Sequence, residues 1–259
     1  MKKKLFRNLS LVMMTGLLIF SLSACGGLKD TGGETTGTSD TERDHVIPPS
    51  EAFAEEGIWF YSDSPMVTKD EKVDYTLVFD GNGNVTRYTT DFTYADLREL
   101  SDNEIIELAK ERDKALFDQA MQDYLSRAEY IMNPHMGLPD PDLYDQVVSW
   151  INDAEYQEPT PSPYKLKITT DGTGNATKSE FLTYTYSTWN PFLSDDLGWH
   201  PDEEPYLEFD KETGLFVSPS KMTVYDMEFN GFGNLFQMVD ENHPGFTLDA
   251  PDTEGIEVD

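Results

Sequence analysis

The chain has 259 residues, 49 of them acidic and 19 basic, for a formal charge of −30. Such a polyanion repels nucleic acid and anionic headgroups alike, and no Lys/Arg stripe with interleaved aromatics offsets the repulsion, so no nucleic-acid partner is expected. Hydrophobic residues at 38% and aromatics at 12% suffice for a globular core and argue against a wholly disordered chain.

The chain opens with a basic region, Met1-Lys2-Lys3-Lys4 and Arg7, then an apolar stretch of about twelve residues from Leu9 to Phe20 and small residues at a cut site. This run is shorter than the roughly 20 apolar residues of a membrane span and reads as a signal peptide. Leu22-Ser23-Ala24-Cys25 follows, with the only cysteine of the chain at its end. Residues 1–25 thus resemble the export segment of a bacterial lipoprotein. The resemblance implies cleavage after Ala24 and a covalent diacylglycerol on the Cys25 thiol, with palmitate-type chains holding the protein to the cell membrane on its extracytoplasmic side. Burying acyl carbons contributes about 0.8 kcal/mol per CH2, so two long chains supply on the order of 20 kcal/mol, a near-permanent anchor. With Lys2, Lys3, Lys4 and Arg7 removed, the formal charge moves from −30 to −34, which keeps the body soluble and off an anionic surface. With Cys25 acylated, no thiol remains for disulfides, metal ligation or catalysis.

Residues 26–50 are rich in Gly, Thr, Ser and acidic side chains and read as a flexible linker, of root-mean-square span on the order of 25 to 30 Å. The expected organisation is a signal peptide over 1–24, lipidated Cys25 and linker over 25–50, and a single α+β domain over 51–259.

Within that domain an internal repeat marks hairpins. Asp80-Gly81-Asn82-Gly83-Asn84-Val85-Thr86-Arg87 matches Asp171-Gly172-Thr173-Gly174-Asn175-Ala176-Thr177-Lys178, with a weaker copy at Asn230-Gly231-Phe232-Gly233-Asn234-Leu235. Each follows a β-like run: Tyr75 to Phe79, Tyr164 to Ile168, and Met222 to Phe229. Their glycines and asparagines tolerate the positive φ of a tight turn. Phe209 to Phe216 is expected to form a fourth hairpin. Between the first two hairpins the period changes. Ser101-Asp102-Asn103-Glu104 is a capping box, and Ile105, Leu108, Ala109, Leu116, Ala120, Tyr124 and Ala128 form a helical stripe, ended by Pro134. A shorter helix follows from about Leu143 to Ile151. The expected fold is α+β: an antiparallel β meander or partial barrel with a helical insertion over about 95–152. Gly57-Ile58-Trp59 is similar to the Gly-x-Trp opening of lipocalin-like barrels, over roughly residues 55–90. That resemblance implies a barrel or half-barrel whose mouth holds an apolar ligand. The alternative is that Trp59 plugs a β-core.

Chemistry is sparse. Asp80, Asn82, Asn84 and Asp91 have calcium-loop character, but Val85 stands where an EF-hand needs glycine, so a solvated turn is expected. Asp195, Asp196, His200, Asp202, Glu203 and Glu204 cluster in a loop that follows Trp189 and contains Trp199, dense enough in oxygen ligands to hold Ca2+ or Mg2+; so acidic a chain also produces such clusters as solvated loops. His45, His135, His200 and His243 show no zinc spacing, and no nucleophile elbow, phosphate loop or dinucleotide fingerprint is present. The expected function is a membrane-anchored extracytoplasmic lipoprotein whose non-catalytic domain binds a small ligand or an envelope protein. An aromatic-lined cavity among Trp59, Phe79, Tyr184, Tyr186 and Trp189 is the candidate binding site. A Ca2+ module at the acidic loop, and a carboxylate-based hydrolase with two facing acids, are the alternatives.

Overall fold

The Gly/Asn-rich turns form the frame of a β meander in the computed structural model, which describes residues 46–132, 140–189, 206–217 and 221–259. Cys25, with the rest of 1–45, and the acidic-loop residues Asp195, Asp196, His200, Asp202, Glu203 and Glu204 lie outside the described residues. A short helix, α1 (Pro49–Ala52), precedes strands β1 (Glu56–Tyr61), β2 (Tyr75–Asp80) and β3 (Asn84–Thr89). Helices α2 (Asp102–Ala128) and α3 (Pro141–Asn152) come next. The chain then returns through β4 (Ser162–Thr170), β5 (Thr177–Trp189), β6 (Tyr206–Leu215), β7 (Met222–Val224), β8 (Met227–Phe232), β9 (Leu235–Val239) and β10 (Glu257–Val258).

The strands follow the order β6-β5-β4-β3-β2-β1-β9-β8-β7, antiparallel throughout, with β10 added parallel to β4. Of the two forms expected, the open meander is the one formed. Between the two ends of the sheet the described residues make one bridge, Val217 to Phe232, beside a Gly233 N–H donating to the Phe216 carbonyl. The β3–β4 junction is also thin. Only Asn84–Pro163 and Val85–Ser162 are paired there, so the rest of β3 runs past the start of β4.

Alternation along the strands sorts side chains onto two faces. One face carries Trp59, Leu77, Phe79, Leu166, Leu182, Leu215 and Phe232 into a core sealed by Phe53 and Phe246. The other carries Phe60, Tyr88, Phe229 and Phe236, against which Tyr94, Leu97 and the first turns of α2, through Ile105 and Ala109, are packed. The expected capping box starts α2: Ser101 N–H donates to Glu104 at 2.9 Å, and the Ser101 side chain accepts from the third backbone N–H. Farther along, Met121 and Ala128 of α2 meet Val147 and Ile151 of α3 in a small satellite cluster. Asp140 caps α3 by accepting from Leu143 N–H at 3.0 Å.

The first two hairpin turns form as expected. The Asp80 carboxylate accepts from Asn82 N–H, Asn84 N–H and the Asn84 amide, and Asp171 accepts from Thr173 and Asn175 in the second copy. The third turn is displaced. Asn230 and Gly231 stay in β8, the reversal falls at Gly233 (φ 61), and Met222 to Phe229 is split by Tyr225 (φ 57). Gly231 is needed for close approach rather than for turning, since a Cβ there would lie 2.1 Å from the Leu235 carbonyl oxygen. The fourth hairpin does not form. Phe209 to Leu215 lies within the continuous strand β6, paired with β5 from Tyr206–Trp189 to Leu215–Glu180, and this long ladder overrides the local turn composition.

The last residues of the expected linker belong to the body. Ile47 bridges Phe246, while the Ser50 N–H and hydroxyl donate to the Asp249 carboxylate at 2.8 and 2.5 Å. Asp249 N–H in turn donates to Glu180 at 2.9 Å, and both acids are buried.

A candidate ligand-binding cleft

Where β3 outruns β4, a gap opens in the sheet, and the site is built around it. Val85, Arg87 and Thr89 share a face of β3, but Ser162 is level with Val85, so no β4 residue is paired with Arg87. In β5, Tyr184 pairs with Tyr164 at the start of the β4–β5 ladder, so Tyr186, two residues on, stands beyond that ladder. The Arg87 guanidinium fills the space between. Its carbon lies 4.6 Å from the Tyr75 ring centre and 4.0 Å from that of Tyr186. Tyr61 stacks on Tyr75 at 4.2 Å, and Phe209 stacks on Tyr186 at 5.9 Å. Five side chains from β1, β2, β3, β5 and β6 thus form a layered stack with the cation at its centre. Each cation–ring contact is worth about 0.5 to 2 kcal/mol, depending on desolvation.

Against this stack lies an open cleft of about 190 Å³. Arg87 and Thr89 line it from β3, Asp113, Leu116, Phe117 and Ala120 from α2, Tyr156, Gln157 and Pro159 from the link into β4, and Ser187, Thr188 and Tyr206 from the far strands. Asp113 organises one wall. It accepts from Thr89 N–H at 2.7 Å, covering a β3 amide, and from the Tyr156 hydroxyl at 2.8 Å. Burial, only partly offset by these donors and by the Arg87 charge, raises the Asp113 carboxyl above the usual range. Burial and the hydrogen bond to Asp113 raise the Tyr156 phenol as well. The Tyr206 hydroxyl accepts from Gln157 N–H at 2.7 Å and donates to Glu155 O, tying the link to β6.

Arg87 forms no ion pair among the described residues, although its charge acts on Asp113. Nor among them does Lys211, which sits 5.6 and 5.8 Å from the Tyr61 and Tyr75 ring centres. What sets Arg87 apart is its setting: its guanidinium rests on two tyrosine rings with Nε buried and unbonded, and Asp113, a carboxylate that its charge acts on, lines the same cleft without forming an ion pair with it. Beneath the stack, the Tyr75 and Tyr184 hydroxyls come close enough to influence each other's ionisation and Thr213 comes close to Tyr75, yet none of the three hydroxyls makes a hydrogen bond of ordinary geometry.

The candidate aromatic residues separate into two groups. Trp59 and Phe79 are fully enclosed, with Phe53 stacked on Phe79 at 4.5 Å and edge-on to Trp59 at 5.0 Å, and they line no part of the cleft. Tyr186 holds Arg87, and Tyr184 lies 6.4 Å from Tyr186; neither is part of the cleft lining. Trp189 is placed only as the last residue of β5, in register with Tyr206. Arg87, Asp113, Tyr156 and Tyr206 were not among the expected site residues. The signal for Arg87 was parity, a cation two positions after Val85 on a core-facing strand; the other three come from segments that only the fold assembles.

Two acids do face each other in the molecule. Glu180 is pushed up to about 8, first by burial and then by Asp249 beside it. Neither lines the cleft, and their hydrogen bonds fasten Ser50 and residue 249 to β5. Among the described residues no group of three or more His, Cys, Asp or Glu is arranged to hold a metal ion. No helix among them is long and apolar enough to cross a membrane. The chain matches no protein-family model, no curated protein and no solved structure.

Proposed function

We propose that the protein is a lipid-anchored, extracytoplasmic binding protein that takes a small ligand into the cleft between α2 and the β3–β5 gap. The anchor half of this reading comes from Leu22-Ser23-Ala24-Cys25. The binding half is carried by Arg87, a cation fixed between two tyrosine rings, on the wall of an open cleft, with no ion pair among the described residues. The Arg87 Nε is buried without a hydrogen bond, and a buried polar atom left unpaired costs about 1 to 3 kcal/mol, a cost that a ligand accepting from the guanidinium would offset. A cleft with one apolar wall and a few convergent polar groups is the usual form of a small-molecule site. The test is a thermal-shift panel of small carboxylates, phosphates, amines, amides and sugars on the full chain in detergent, beside Leu116→Trp, which fills the cleft. Ligand at a hundred times its Kd raises stability by about 2.7 kcal/mol. The expected result is a compound class that stabilises the wild type and not Leu116→Trp. A panel with no such class rules out the binding reading.

A further inference from the structure

Resting on that binding reading, the chemistry of the cleft walls narrows the occupant. Tyr75 and Tyr186 hold the Arg87 guanidinium by ring contact, at 4.6 and 4.0 Å from its carbon, and such contact uses none of its N–H donors for a hydrogen bond. A planar fork of N–H groups matches the two oxygens of a carboxylate or a phosphate. The opposite wall decides between them. Asp113 already has both oxygens occupied, by Thr89 N–H and the Tyr156 hydroxyl, and it lines the same small space as Arg87. Arg87 is the one cation of the lining and can face a single negative charge of a ligand, whereas a second negative charge would meet no cation there and would lie near Asp113; Lys211 is not part of the lining. The rest of the cleft is of two kinds. Leu116, Phe117, Ala120 and Pro159 offer an apolar surface, and Thr89, Ser187 and Thr188 offer hydroxyls. A volume of about 190 Å³ holds roughly six waters at about 30 Å³ each, which suits one small ring or a short branched chain.

We infer that the cleft binds a small monocarboxylate with an apolar body, the carboxylate taken by the Arg87 fork and the body laid on Leu116, Phe117 and Pro159. Arg87 gives charge and planar geometry, the two tyrosines hold its plane fixed, and Asp113 keeps Tyr156 and β3 in place while excluding doubly charged anions. The site selects by charge number and by shape together.

The experiment is isothermal titration of the full chain in detergent with benzoate and 3-methylbutanoate, against benzamide, benzylamine and inorganic phosphate. The expected result is saturable binding of at least one carboxylate, at least tenfold tighter than benzamide or phosphate. Arg87→Gln should weaken that carboxylate tenfold or more. Arg87→Lys keeps the charge and the ring contacts without the fork; it should give a severalfold loss, and it serves as the readout if the glutamine variant does not fold. Equal binding of benzoate and benzamide, tighter binding of phosphate, or an unchanged affinity in both Arg87 variants overturns the inference. Silence of both carboxylates overturns it too. If another class from the thermal-shift panel is still lost in Leu116→Trp, the carboxylate assignment alone has failed and the binding function stands.

Discussion

Replacing Glu180 by Gln isolates the linkage between one buried proton and the stability of the whole domain. Glu180 is 1% exposed, its Oε2 accepts from Asp249 N–H, and its Oε1 has no partner, so the folded protein favours the protonated acid and the pKa stands at about 8 against 4.5 for the ordinary group. Between those values the folded chain holds a proton that the unfolded chain has released, and stability therefore falls as pH rises through the window and levels off above it. One pH unit is worth about 1.4 kcal/mol, so the whole loss is about 4 to 5 kcal/mol, a large part of the usual 5 to 15 kcal/mol for a domain. Gln keeps the acceptor for Asp249 N–H and removes the proton. Urea unfolding of both chains from pH 5 to pH 9 measures the difference, in which the remaining titrating groups cancel. The two should agree to within about 1 kcal/mol at pH 5, and the variant should be the more stable by about 4 kcal/mol at pH 9. A difference that stays flat across this range, or changes in the opposite sense, refutes the assignment of a neutral buried acid.

Cys25→Ala should abolish incorporation of labelled palmitate and move the protein from the membrane pellet to the soluble fraction; retention of either property removes the anchor. Asp113→Ala leaves Thr89 N–H and the Tyr156 hydroxyl without their acceptor and should lower unfolding free energy by about 1 to 3 kcal/mol, with Asp113→Asn losing less because its carbonyl still accepts from Thr89. Gly231→Ala forces a Cβ against the Leu235 carbonyl and should cost about 3 kcal/mol in a denaturant melt. Gly172→Ala, where a Cβ meets nothing within 4 Å and φ is not positive, should leave the melt within about 0.5 kcal/mol of the wild type.

The elements that short-range chemistry controls were legible in the sequence. Asp80 and Asp171 bind their own turn amides, and Ser101 and Glu104 close their own helix start, so each signal and its effect lie within five residues. Composition alone misread Phe209 to Phe216, because the local preference of Asp-Lys-Glu-Thr-Gly for a turn is smaller than the gain from a full ladder with β5. The candidate aromatic residues gave no direct pointer to the cleft. Hydrophobicity does not distinguish a ring that fills a core, as Trp59 and Phe79 do, from one that stacks on a cation beside a recess, as Tyr186 does, and none of these three lines the cleft. The cleft depends on where β4 begins relative to Val85, a question of register between strands separated by two helices, and no pattern within either strand encodes it.

The clamp between residues 47–50 and 245–249 has a mechanical consequence. Ile47 exchanges backbone hydrogen bonds with Gly245 and Thr247, and Ser50 is fastened to Asp249, all upstream of β1. Tension applied through the amino-terminal segment is therefore borne first by the carboxy-terminal stretch, and only after that stretch yields does the load reach Trp59 and the central strands. Loosening Asp249 should make the domain easier to pull apart by its leading end while leaving its resistance to heat far less altered, so force and temperature would rank the same variants differently.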